Sequence, residues 1–334
     1  MFQTELHHFI QSYATDGLTS FMQVITGLGY AEFFMAFLIF LTFVIDFRKG
    51  FLMLMILLWT GCITYLLKES FQLPRPFHVD NTVQLLDGDL PDNNTLIFEK
   101  RGATSFWGGL PQDVVDHIRQ NQDTEFGFPS GHTSIAIAFW GALALLFRVR
   151  WLSILSITLM VLIPFSRIYL GVHFLADVLG GIVVGGVMLW IFYTIVLQPD
   201  KLKAFLKRTH YPIKADLLTA TLIVFPLIWA IILPPKTIVL YANLWAFGVA
   251  FLLLAQQGLP ANDALWWQRG LRFFVGVFLF GLTSYVLKQA AVAVGLGEDN
   301  VVRFIRYSLG AFILVWGSVT LSLRLGLMKR DIKA

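Results

Sequence analysis

Charge is scarce in this sequence. Asp, Glu, Lys and Arg make up 14% of its 334 residues, and 57% are hydrophobic, where a soluble domain has about 25% charged and about 45–50% apolar residues. The apolar runs are too many and too long for a water-soluble globule. Cysteine is almost absent. The single Cys62 permits no internal disulfide and no CxxC metal or redox pair, and its place within an apolar run predicts a packing role. The opening residues, MFQTELHHFIQSYATDG, lack the basic start and short apolar core of a signal peptide, so membrane insertion is expected to rely on the first apolar helix.

A spanning helix needs about 20 mostly apolar residues. Nine runs qualify, some of them short enough to need tilt or flanking residues: 20–45, 51–67, 132–147, 151–169, 174–197, 217–233, 238–256, 271–293 and 303–326. The expected fold is all-α: a polytopic membrane protein of about nine transmembrane helices, with a catalytic helical bundle and a C-terminal four-helix extension. Nine crossings put loop 70–130 and the N-terminus on one side. The opposite side holds 15 of the 25 Lys and Arg residues but only 5 of the 21 Asp and Glu. Its short loops DFRKG and RVR and the stretch DKLKAFLKRTHYPIKAD are basic, which marks that side, and the C-terminus with it, as cytoplasmic. Topology explains these basic residues, so the net charge of +4 does not point to nucleic acid as a partner.

The expected organisation is a catalytic membrane domain over 1–197, a basic cytoplasmic loop over 198–216 and a transmembrane extension over 217–334. Within the first, residues 70–130 form an outward-facing loop rich in acids and turn formers, with a helical cap near 111–121. A polar loop of this length is usually functional or disordered. Asn93-Asn94-Thr95 matches a glycosylation triplet, a pattern that often recurs by chance.

The polar residues at the outward helix ends form a constellation. The second helix ends in LLKESFQLPRPF, carrying Lys68, Arg75 and Pro76. The third opens with FPSGHTS, carrying Ser130, Gly131 and His132. The fourth and fifth meet in SRIYLGVHFLADVLGG, carrying Ser166, Arg167, His173 and Asp177. Lys68, Arg75 and Arg167 can converge on one anion, the arginines as bidentate forks and the lysine as a point charge. Ser130 and Gly131 stand where a helix N-terminus favours a phosphate. His173 and Asp177 are four apart and share a helix face. A carboxylate there holds the imidazole in the tautomer that leaves its other nitrogen free to attack, and His132 can protonate the leaving alkoxide. Taken singly, each residue reads as an interfacial anchor. His-x3-Asp also fits a metal pair, which Glu125 and Asp123 would complete, but three cations repel a metal. Ionisable groups of complementary role gathered inside a membrane point to function.

These stretches resemble the type 2 phosphatidic acid phosphatase superfamily, the vanadium haloperoxidase-like phosphatases, whose motifs are K-x6-RP, PSGH and SR-x5-H-x3-D. Lys68 with Arg75-Pro76, Pro129 to His132, and Ser166-Arg167 with His173 and Asp177 fill every motif position in order across residues 68–177. The resemblance implies a metal-independent phosphohydrolase without cofactor. His173 would attack phosphorus and form a phosphohistidine, Asp177 would orient it, and His132 would protonate the leaving group. Lys68, Arg75, Ser130, Gly131 and Arg167 would bind the phosphoryl group.

The expected activity is hydrolysis of a membrane lipid phosphate or an isoprenoid or lipid diphosphate. The active site would lie on the periplasmic, extracellular or lumenal face of an inner, plasma or endoplasmic reticulum membrane. Nine spans with an outward N-terminus also resemble glucose-6-phosphatase, which keeps a sugar phosphate open as substrate. The same phosphohistidine could pass its phosphate to a lipid acceptor, as in a phosphotransferase, and membrane cations beside a histidine could line the path of an anion transporter. Residues 47–69 and 267–289 align with five identities, a weak internal echo whose second copy carries no PSGH.

Overall fold

The structure, a computed structural model, describes residues 1–87, 98–120, 125–208, 219–232, 237–295 and 299–331. Among these residues the regular structure is all helix, with no strand, apart from one isolated bridge between Pro260 and Arg330. The all-α reading holds. Among the described residues six helices are long and apolar enough to cross a membrane: Phe47–Val79, Arg150–Tyr169, Leu175–Leu197, Ile238–Gln256, Trp266–Ala293 and Asn300–Arg324. Asp16–Gly27 and Ala31–Ile45 form a pair bent by 52° that makes a seventh when counted as one span. Gly131–Phe147 and Ala220–Ile232 are shorter apolar helices. Every expected run therefore coincides with helix where it is described, while length and composition alone give six or seven crossings rather than nine. Within the stretch expected to be partly helical near 111–121, a helix runs over Gln112–Gln120. The glycosylation triplet 93–95, Asp123 and residues 209–216 of the basic loop lie outside the described residues.

The first run departs most from expectation. Its helix stops at Gly27, turns through Leu28-Gly29-Tyr30 and restarts at Ala31. No proline marks the break, and the one charge beside it, Glu32, lies in the first turn of the second helix, so hydropathy reads through it.

The chain divides into two compact units, one of residues 1–34 and 63–194 and the other of 35–62 and 195–334. In the first, Gly131–Phe147 packs against both Arg150–Tyr169 and Leu175–Phe192. Small residues permit the second of these contacts: a Cβ on Gly181 would lie 2.7 Å from the Ser130 carbonyl oxygen, and one on Gly185 2.4 Å from that of Ser134. Backbones approach this closely in membranes through small-xxx-small spacings. The helix Glu5–Gln11 packs on Arg150–Tyr169, and its Gln11 amide donates to the carbonyls of Gln84 and Tyr169.

In the second unit, Ile238–Gln256 packs against Asn300–Phe312, and Phe51 stacks on Phe251 with ring centroids 3.9 Å apart. Arg48 is buried and pairs with Asp331 at 3.2 Å. Trp266–Ala293 turns Phe274, Phe278 and Tyr285 outward, an apolar face suited to lipid. Cys62 is buried and free, as a packing residue would be.

Candidate active site

All eight candidate residues lie in the first unit, on three separate stretches of chain. Lys68 stands near the end of the helix Phe47–Phe71, and its Nζ donates to the carbonyl oxygens of Phe126 at 2.6 Å and Gly127 at 3.4 Å. Arg75 precedes the short helix Pro76–Val79, where proline at the first position suits a helix start. Its Nη2 pairs with a Glu125 carboxylate oxygen at 2.7 Å, and its Nε donates to the Glu125 carbonyl. The arginine side chain is 7% exposed and the glutamate 73%.

Ser130 caps the helix Gly131–Phe147, its hydroxyl accepting from the Thr133 N–H and, at 3.1 Å, from the Thr133 hydroxyl. Its own N–H donates to the Asp177 carbonyl at 2.9 Å, tying two of the stretches together. Gly131 and His132 occupy the first turn, where N–H groups have no intrahelical partner. The His132 Nε2 is buried with no hydrogen-bond partner.

Arg167 lies in the last turn of Arg150–Tyr169 and is 2% exposed. Its Nη1 donates to Asp87 at 2.8 Å and to the Thr26 hydroxyl at 2.6 Å. The turn from Arg167 to His173 passes through Gly171 at φ +77°, a left-handed conformation open to glycine. The Val172 and His173 N–H groups both donate to the Arg167 carbonyl, so this turn fixes the distance between cation and imidazole.

The His173 Nδ1 lies 3.2 Å from an Asp177 carboxylate oxygen, which also accepts from the Phe174 N–H at 2.9 Å. A carboxylate accepts only, so the proton of the neutral imidazole sits on Nδ1 and Nε2 keeps its lone pair. Burial first, then Arg75, Lys68, Arg167 and His132, hold the His173 imidazole well below its ordinary pKa. The arrangement presents a neutral nucleophilic nitrogen beside three cations and a helix N-terminus, with a second imidazole close by. It is built for an anion with an electrophilic centre.

Four contributors lie outside the motifs. Asp87, Thr26 and Tyr30 surround Arg167, and the Tyr30 hydroxyl donates to Asp87, 3.0 Å from each oxygen. His7 is fully buried and bonds the His173 carbonyl through Nε2 at 3.0 Å. Asp87 belongs to a stretch that reads as an acidic turn, and Tyr30 to an uninterrupted apolar run, so neither carried a signal. Glu125 pairs with Arg75. Among the described residues no three His, Cys, Asp or Glu side chains cluster as a metal site.

The sequence profile of the PAP2 superfamily matches residues 49–200, and that of the PAP2 superfamily phosphatase, transmembrane extension, matches residues 238–330. The chain belongs to the PAP2 superfamily. The first match contains all eight candidate residues of this PAP2 chain, and the second falls on the expected C-terminal extension. Together with the apolar helices they make the chain an integral membrane member of the superfamily.

Among relatives, a lipid A 4'-phosphatase of Bacteroides thetaiotaomicron is 33% identical over 127 residues, covering 35% of this chain and 56% of that protein. Phosphatidylglycerophosphatase B of Bacillus subtilis is 37% identical over 93 residues, 25% of this chain and 44% of that protein. An undecaprenyl-diphosphatase of Sulfolobus acidocaldarius is 36% identical over 78 residues, 23% of this chain and 35% of that protein. The chain spans about half the length, or less, of these relatives.

Proposed function

We propose that this PAP2 chain is a membrane phosphatase that hydrolyses a lipid phosphate or an isoprenoid or lipid diphosphate through a phosphohistidine on His173. The observation that carries the reading is the His173–Asp177 pair. Its buried carboxylate fixes the proton on Nδ1 and leaves Nε2 to attack within a ring of cations. Lys68, Arg75 and Arg167, with the N–H groups of Gly131 and His132, would take the phosphoryl oxygens and the charge that grows on them. Phosphoryl transfer depends on such positioning and electrostatics.

In the first step Nε2 bonds to phosphorus as the bond to the leaving oxygen breaks. That oxygen would take a proton from His132, whose buried Nε2 has no other hydrogen-bond partner. Water then attacks the phosphohistidine and releases phosphate, with His132 now accepting the proton. No step needs a metal.

The relatives' names support a lipid class of substrate: lipid A, phosphatidylglycerophosphate and undecaprenyl diphosphate share a phosphate on an amphiphile and differ in headgroup and tail. The excess of basic residues on the opposite loops supports an active site on the non-cytoplasmic face, with the C-terminus cytoplasmic. The proposed organisation is a catalytic domain over 1–197, a basic loop and the extension.

The test is phosphate release by the detergent-purified protein in EDTA. The substrates are phosphatidic acid, phosphatidylglycerol phosphate, an isoprenoid diphosphate and glucose 6-phosphate, with His173→Ala alongside. Release from a lipid that is lost in the variant supports the reading. Release from glucose 6-phosphate alone, or release that survives in His173→Ala, refutes it.

A further inference from the structure

The helix break at residues 28–30 brings a segment outside all three motifs into the site. Tyr30 leaves this turn and presents its ring edge-on to His132, with centroids 4.6 Å apart and planes at 85°. Gly29 backs onto the same imidazole, so closely that a Cβ there would lie 3.3 Å from its Cδ2. With its buried Nε2 unpartnered, the imidazole has no hydrogen bond at that nitrogen to set its angle. Packing must do so, and edge-to-face aromatic contacts are directional.

Tyr30 is itself tied down. Its hydroxyl donates to both oxygens of Asp87, and the same carboxylate pairs with Arg167 at 2.8 Å. The Arg167 guanidinium carbon lies 5.9 Å from the centre of the Tyr30 ring. Asp87 and Arg167 are each 3% exposed in their side chains. Removing one partner from such a buried pair leaves an uncompensated charge, so the pair is a firm anchor for the tyrosine.

We propose that Tyr30 is a positioning residue for His132, held by Asp87, so that one carboxylate fixes both a phosphate-binding arginine and the ring against which the proton donor rests. This rests on the phosphatase reading above. It adds that proton donation to the leaving group depends on a residue from the first membrane segment. An alkoxide needs that proton, whereas a nitrophenolate leaves without it. The consequence is therefore a dependence on leaving group rather than a uniform loss.

The experiment compares kcat/KM for a short-chain phosphatidic acid and for p-nitrophenyl phosphate in the full-length protein, which reports the first phosphoryl transfer. The variants are Tyr30→Ala, Tyr30→Phe and His132→Ala, each checked for a monodisperse, cooperative melt. General acid catalysis is worth about 10²–10⁴-fold, and His132→Ala is expected to lose that on the alkyl ester and little on the aryl ester. Tyr30→Ala is expected to follow it, losing about 10–100-fold on the alkyl ester and less than about threefold on the aryl ester. Tyr30→Phe keeps the ring and is expected to fall between Tyr30→Ala and wild type, again with the smaller loss on the aryl ester. It also serves as the test if the alanine variant does not fold. Equal losses on both esters in the Tyr30 variants, or no loss on either, overturn the proposal while leaving the phosphatase reading standing. Equal losses in His132→Ala remove the general-acid assignment and the proposal with it.

Discussion

Replacing Asp177 by Asn probes the His173 pair with almost no change in shape. In the wild type, one carboxylate oxygen accepts from both the His173 Nδ1 and the Phe174 N–H. In Asp177→Asn the amide oxygen can stand in the same place and keep both bonds, but it carries no charge to stabilise the imidazolium that forms as Nε2 attacks. Turned the other way, the NH₂ group meets Nδ1 as a donor and moves the imidazole proton to Nε2, the nitrogen that has to attack. In either orientation the productive state is destabilised while the fold is preserved. Where a carboxylate orients a catalytic imidazole elsewhere, the same exchange costs about 10⁴ in kcat, or about 5.5 kcal/mol at about 1.4 kcal/mol per factor of ten. The expectation here is a fall of about 10³–10⁴ in kcat with p-nitrophenyl phosphate, with KM changed far less because Lys68, Arg75 and Arg167 are untouched. Steady-state kinetics in detergent, with a thermal melt to check folding, reads both. A variant within about tenfold of wild type would refute this role for the Asp177 carboxylate.

Three further outcomes are expected. Glu125→Gln removes an exposed carboxylate that competes with substrate for Arg75. Inhibition by vanadate should strengthen by about two- to fivefold, in line with a partly exposed ion pair, and weaker inhibition would contradict this. Asp80 is ionised in the fold: burial opposes its charge, but hydrogen bonds from Thr82, Thr4 and His8 outweigh it and hold the carboxyl at about 2. Its stabilisation, about 2 kcal/mol, is present above the ordinary carboxylate range and is lost as pH falls toward 2. Asp80→Asn should therefore melt lower at neutral pH, with the gap to wild type closing in strong acid, and a gap that widens in acid would be wrong for this sign. Gly185→Ala places a Cβ 2.4 Å from the Ser134 carbonyl oxygen, and overpacking of this kind costs about 1–3 kcal/mol. The melt should drop, and an unchanged melt would mean that the helices separate freely.

Much of the site was legible because its residues come in short fixed spacings. His173 and Asp177 are one helical turn apart, Ser130 to His132 form one helix start, and Lys68 and Arg75 flank one helix end, so local geometry fixes most of what matters. The helices were legible for a similar reason, since long uncharged runs have few alternatives to helix in a bilayer. What hydropathy could not show was the 52° bend after Gly27, because a glycine between two apolar stretches looks like continuation. With the bend went Tyr30 and Thr26, and with long-range pairing went Asp87, whose partner Arg167 lies 80 residues away. His7 stands outside every motif, and it is buried and bonded to the His173 carbonyl. The assignment of residues 35–62 to the same unit as 195–334 is likewise a property of packing that no local pattern carries.

The central claim is a covalent phosphohistidine on His173. The direct measurement is to quench the protein within milliseconds of adding a ³²P-labelled lipid phosphate, in EDTA, and to map the label by peptide mass spectrometry. The account predicts an acid-labile, base-stable phosphate on His173, absent from His173→Ala and accumulating when water attack is slowed. Turnover without any labelled protein, or label on another residue, would contradict it.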